Sequence, residues 1–260
     1  SSKRSGKAMM NILQSEFLKY KRTFTRRLIL LAPMFFIFMA LPQKLFMPAN
    51  YLRSWQLILD LVFNWWPVVF IPMGLALFAA LTESQEKKAG SYRSLRARDV
   101  SPANLWVAKV VIMGFHTLIS TLVLIGATVI SGLITGDGSI PWFKIFAGGL
   151  TTWIVSLAII PLQLWMAAWK GTFASMATGF LGLIAGVIAS AGPYWLYVPW
   201  SWPTRLMCPI IGVHPNGTLL ESTSPLLNAS VIPKGILISL AALVIFTFIT
   251  AVWFNNREVR

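Results

Sequence analysis

Six runs of apolar residues, each near the length needed to cross a bilayer, constrain this chain more than any other feature. About 30 Å of hydrocarbon takes about 20 residues of α-helix. The runs cover 28–46, 63–81, 105–134, 142–169, 172–191 and 235–254. Backbone groups in hydrocarbon must be satisfied within the protein, and helices do this segment by segment. The expected fold is therefore an all-α integral membrane protein with six transmembrane helices. The fourth and fifth runs are divided only by "AWKGT", residues 168–172, where Lys170 resists burial and Gly171 suits a tight turn.

Composition agrees. Charged residues make up 12% of the 260, against about 25% in soluble domains. The net charge is +14, but the positive residues sit at the ends of apolar runs, as membrane topology requires, not in patches fit for nucleic acid. Cys208 is the single cysteine, so no disulfide framework is expected. The opening "SSKRSGKAM" has no apolar core, is not a signal peptide, and reads as an expression leader over residues 1–9.

Six spans bring both termini to one side. That side would hold fourteen of the Lys and Arg residues after the leader, including Lys87, Lys88, Arg93, Arg96, Arg98, Lys109 and Lys170, and the other side five. Both termini are therefore expected in the cytoplasm. Residues 28–260 form one membrane domain, preceded by an amphipathic helix over 10–27. Met10, Leu13, Phe17, Tyr20 and Phe24 recur there at helical spacing, with Lys19, Lys21, Arg22 and Arg26 around them. Such a helix lies in the membrane interface.

The hydrophilic block over 82–104 lies between spans two and three. It holds Glu83 and Glu86, then Lys87 and Lys88, then Gly90 and Ser91, then arginines. A topology signal alone would need neither the glutamates nor Tyr92 and Leu95. The block reads as a helix or helix pair broken at Gly90, projecting to dock on a soluble partner. Ser101 and Pro102 mark the start of span three.

The external segment, 193–233, is rich in proline and aromatics. Trp195, Trp200 and Trp202 are expected at the outer headgroup level, with two short interfacial or re-entrant pieces around them. Within the spans, His116 and Gln163 are polar and so are candidates for a pathway, against the plainer reading of packing and interhelical hydrogen bonds. Gly179, Gly182 and Gly186 allow close helix approach. There is no phosphate-binding loop, metal-ligand spacing or nucleophile elbow. No catalytic or metal site is expected in this chain.

The order of elements resembles the permease subunits of ABC-2 type transporters. Glu83, Glu86, Gly90, Ser91, Leu95, Pro102 and Lys109 follow that family's coupling pattern, with Ser91 where Thr is commoner. The stretch "MNILQSEFLKYKRTFTRRLILLAPMF", through Glu16, Lys19, Lys21, Arg22, Thr23, Arg26 and Pro33, is similar to the lantibiotic-immunity permeases, the E and G subunits of such protection systems.

The resemblance implies a type V exporter-like fold with an interfacial helix, a cytoplasmic coupling helix and short external helices. It implies coupling to an ATPase through Glu83, Glu86, Gly90, Ser91, Tyr92, Leu95, Arg96 and Ser101, with Glu16, Phe17, Tyr20 and Arg22 on the interfacial helix. ATP and Mg would be bound by a separate, dimeric ATP-binding subunit, and a second homologous permease would complete the complex in the bacterial plasma membrane. The substrate would be a lantibiotic or similar cationic antimicrobial peptide. Permeases for other lipophilic substrates share the layout, and an intramembrane enzyme is the reading from a different class.

Overall fold

Prolines and glycines decide where the helices of this bundle begin, bend and turn back. The computed structural model describes residues 2–21, 23–50, 53–90 and 100–259. Helix α1 is Ser2–Lys19, so one helix runs through the expected leader boundary. Tyr20 and Lys21 close it with turn bonds to the carbonyls of Phe17 and Leu18. Thr23 then takes an extended conformation and its hydroxyl caps α2, Phe24–Leu31, by accepting from the Arg26 amide at 3.3 Å. The expected interfacial helix over 10–27 is thus corrected to two helices. Thr23 is the reason, because it caps a new helix better than it continues the old one.

The first span is α2 with α3, Phe35–Phe46, bent by 45°. Pro33 lies in the bend and has no amide to offer the Ile29 carbonyl four residues back. That carbonyl instead accepts from the Ser120 hydroxyl of span three at 2.8 Å, the kind of substitute partner that a broken helix needs in a membrane.

Span two starts earlier than expected. It runs Trp55–Lys88, not 63–81, through α4 (Trp55–Trp65), a π-helical segment (Trp66–Phe70) and α5 (Ile71–Lys88). Ser54 caps it by accepting from the Leu57 amide. Pro67 lies in the π-helical segment and Pro72 just after it, where the ordinary hydrogen-bond ladder is interrupted. Span three is α6, Pro102–Thr135. A short parallel pair, β1 (Arg53–Ser54) with β2 (Gly136–Asp137), ties the start of span two to the end of span three.

The chain continues through α7, Trp142–Ser156, and α8, Ile159–Ser190. Pro161 cannot donate to the Leu157 carbonyl, and the break between these helices falls there. Gly171 inside α8 has φ 87° and ψ −170°, which is not helical. The chain folds back on itself at this glycine. In a straight helix Gln163 and Gly179 would be about 24 Å apart, yet the Gln163 amide lies 3.5 Å from where a Cβ on Gly179 would sit. After a compact segment over 191–230 comes the last span, α10, Val231–Val259.

Among the described residues, four helices are long and apolar enough to cross a membrane, or five if the bent first pair counts as one. The packing of α5 on α8 is the most extensive in the bundle. It is close because Gly179 faces Ala76 and the Pro72 carbonyl, where a Cβ would come within 2.5 and 2.8 Å. The segment between α8 and α10 also folds inward. Its helix α9, Ser201–Ile211, is buried along residues 201–208 and packs on α4, α7, α8 and α10.

The turn at Gly171 gives a test. Its backbone region is essentially restricted to glycine, so Gly171→Ala should cost about 1–3 kcal/mol. Thermal unfolding in detergent should show a lower Tm for this variant but not for Lys170→Ala. Equal midpoints would mean that no reversal is fixed at this residue.

Candidate functional site

The C-terminal end of α1 and the C-terminal end of α10 lie at one end of the bundle. Lys19 of α1 bonds to Glu86 at the end of span two, and Arg257 of α10 donates to the Ala168 carbonyl beside the Gly171 turn at 2.6 Å. A cluster of charges is buried at this end. Helical spacing places Glu16, Lys19 and Tyr20 on one face of α1, and Thr82, Glu83 and Glu86 on one face of α5. Lys109 of α6 completes the cluster from two turns inside span three.

The Lys109 side chain is 0% exposed, with Nζ 2.9 Å from Glu83 Oε1 and 3.7 Å from Glu86 Oε1. Lys19 Nζ bridges Glu86 and Glu16, the latter at 2.6 Å. Gln85 donates to the Lys19 carbonyl at 3.2 Å. Thr82 gives its hydroxyl proton to the Phe78 carbonyl, so Tyr20 donates to Thr82 Oγ1, at 3.2 Å. The cluster thus joins α1, span two and span three. Burying these charges carries a large desolvation cost, against which this mutual pairing acts.

The titration of α1 follows from this arrangement. Burial pushes the Glu16 carboxyl up against the opposing pull of Lys19. Burial alone would lower the Lys19 ammonium, but Glu16 and Glu86 outweigh it and hold it above its usual 10.5. Burial also raises the Tyr20 phenol, keeping it a neutral donor.

Span two ends at Gly90, whose φ of 95° stops the helix. Ser101 precedes Pro102 in an extended conformation and makes no side-chain cap bond, so it marks the start of span three through its backbone alone. Ser91, Tyr92, Leu95, Arg96 and Arg22 lie outside the described residues.

His116 sits beside the cluster. Its ring packs 4.3 Å from Tyr20 and 5.5 Å from Phe17, centre to centre, with Phe78 and Phe115 around it. Nδ1 is 2.8 Å from the Ile112 carbonyl, which makes it the protonated nitrogen. Gln163 is fully buried between the limbs of α8, where its amide donates to the Ser175 carbonyl at 3.1 Å and accepts from the Gly179 amide at 3.3 Å. No hydrogen bond joins His116 to Gln163.

The tryptophans of the segment between α8 and α10 differ from expectation. Trp195 and Trp202 are buried at 7% and 3% exposure, and so do not form an outer belt or a face open to a peptide. Trp195 stacks under the Arg205 guanidinium at 5.7 Å, and Trp202 donates to the Leu196 carbonyl at 3.2 Å. Trp200 is half-buried on Gly182 and Gly186, where Cβ atoms would meet its ring and backbone within 2.5–2.7 Å. That glycine pair is a seat for one tryptophan, not a helix–helix contact. Tyr194 and Tyr197 are the exposed aromatics of this segment.

Residues 12–186 match the family model described as ABC-2 family transporter protein. The chain belongs to this family. It is a multi-pass membrane protein and a transport permease. No curated protein and no solved structure matches it.

Two features escaped the sequence reading. Lys109 counted only as a topology charge and a coupling-pattern residue, yet it is the most deeply buried cation of the cluster. The available signal was its position two turns inside an apolar helix, where a lysine must find a partner. The second is Asp60 of α4, outside the cluster, which is 3% exposed and accepts from Gln56, which in turn takes a bond from Lys144.

Lys109→Met leaves two buried carboxylates short of their cation and should destabilise the protein by about 3–5 kcal/mol. Adding Glu83→Gln should recover part of this in detergent unfolding, whereas additive losses would mean that the two residues are not coupled. A second expectation concerns pH. The Lys19 pKa is higher folded than unfolded, so its contribution is complete below 10.5 and is lost as pH rises through the elevated value. Proteolysis of α1 should therefore accelerate above that pH, and Lys19→Met should be fast and pH-independent across the same range.

Proposed function

We propose that this permease is the membrane subunit of a heteromeric exporter that removes a lantibiotic, or a similar cationic antimicrobial peptide, from the bacterial plasma membrane. The basic end of the bundle is the cytoplasmic end. Both termini lie there, which requires an even number of crossings. Counting the bent first pair once, α7 with the first limb of α8 once, and the second limb of α8 separately gives six.

The observation that carries the reading is the buried cluster of Glu16, Lys19, Glu83, Glu86 and Lys109. It fastens the amphipathic α1 to the segment that resembles a coupling helix, so a push on residues 82–104 would reach α1, span two and span three together. Glu16 and Lys19 also carry the resemblance to lantibiotic-immunity permeases. A dimeric ATP-binding subunit would supply ATP, Mg and hydrolysis in trans, and a second permease would pair with this one. The exposed Tyr194 and Tyr197, not the buried tryptophans, are the aromatic contacts for a peptide in the outer leaflet.

Expression with the neighbouring genes in a sensitive Gram-positive host tests this reading. An ATPase and a second permease should co-purify, and survival should rise selectively against one lantibiotic. Co-purification with no peptide tolerated would instead favour another lipophilic substrate. Glu86→Lys and Gly90→Pro should abolish resistance and ATPase stimulation while membrane insertion persists. Normal resistance in both variants would sink the coupling assignment.

A further inference from the structure

The apolar interior of the bundle is not fully packed. A cavity of about 330 Å³ lies between the bent first span, the π-helical part of span two, span three and Trp153. That is the size of a small ligand site. Gly74 forms part of its wall, and a Cβ added there would meet nothing within 4 Å. Gly148, Gly149 and Gly179 are tightly packed by comparison.

The polar groups of the lining are already occupied. Thr117, Thr121 and Ser156 donate to carbonyls of their own helices at 2.8 Å, and Ser120 donates to Ile29. A cavity without free polar partners does not hold water. In a membrane the alternative filling is hydrocarbon. The lining reaches from Phe78 to Trp66, about 18 Å along span two. That length is close to one leaflet of hydrocarbon, about 15 Å.

A headgroup position adjoins the cavity. Ile29 lines it, and Arg26 lies one turn below Ile29 on the same face of α2. Arg26 and Arg27 are exposed and make no ion pair among the described residues. We propose that an anionic phospholipid of the leaflet at the basic end seats one acyl chain in this cavity, with its phosphate held by Arg26 and Arg27. The site is independent of the transported substrate. The π-helical segment and the bend at Pro33 make the room, and Gly74 keeps it open.

The test uses the full-length protein in vesicles of phosphatidylglycerol and phosphatidylcholine containing diazirine-tailed phosphatidylglycerol. After illumination, adducts should map to residues 69–78 and 117–121 and should fall with excess unlabelled phosphatidylglycerol. Gly74→Phe fills the cavity and should remove these adducts while those on the exposed face of α10, at Leu237, Val244 and Phe248, persist. Arg26→Gln with Arg27→Gln should lower the preference for phosphatidylglycerol over phosphatidylcholine by about tenfold. Adducts confined to the exposed face, or cavity adducts unchanged in Gly74→Phe, would overturn the proposal. If Gly74→Phe does not fold, the wild-type adduct map and its competition decide the matter.

Discussion

The pairing of Lys109 with Glu83 and Glu86 is the constraint on which the basic end of this protein depends. Lys109 is part of span three and its side chain has no exposure. A lone ammonium there would cost several kcal/mol, so span two must bring its glutamates to the matching height. That fixes the register of the two spans. Glu86 also meets Lys19, and Lys19 meets Glu16, so the same requirement pins α1 to the bundle. An amphipathic helix that could lie anywhere in the interface is thereby held at one place and one angle.

Away from the charges, the bundle is shaped by residues that interrupt helices. Pro33, Pro67, Pro72 and Pro161 each withhold an amide, and the structure bends, widens or breaks near each one. The carbonyl freed by Pro33 is answered from another helix by Ser120. Other hydroxyls, such as Thr128 and Thr135, satisfy themselves on the preceding turn. Ser175 and Gln163 hold the two limbs of α8 to each other and to span two. Polar atoms inside this membrane domain therefore mostly join helices or complete them.

Much of this was legible from residue order. Apolar length located the spans, and Gly171 and Gly90 marked a turn and a helix end because each adopts a backbone region open to glycine. Ser101 and Pro102 marked the start of span three. The start of span two was misread, because Gln56, Asp60 and Asn64 look like surface residues until their partners are known. Gln56 donates to the Ile211 carbonyl and Asn64 to the carbonyls of His214 and Pro215, about 150 residues away in sequence, and Asp60 accepts from Gln56. The buried tryptophans were missed for a similar reason. Tryptophan suits both an interface belt and a glycine seat, and only the fold sets Gly182 and Gly186 beneath Trp200. The cluster itself was half legible: its residues stood out singly, but nothing local pairs Lys19 with Glu86 across 67 positions.

Helix α5 connects the two special regions of the molecule. Its far end bears Glu83 and Glu86, and its first turns carry Gly74 and adjoin the π-helical wall of the cavity. A regular helix of this length is stiff over about 27 Å, and α5 is packed along α8 through Ser175 and Gly179. Its flexible element is the π-helical segment at the start, where the hydrogen-bond ladder is already broken. Under the proposed coupling, a displacement applied to the charged end would be carried along α5 to that segment and to the cavity wall. Charge burial and imperfect packing thus lie at opposite ends of one helix.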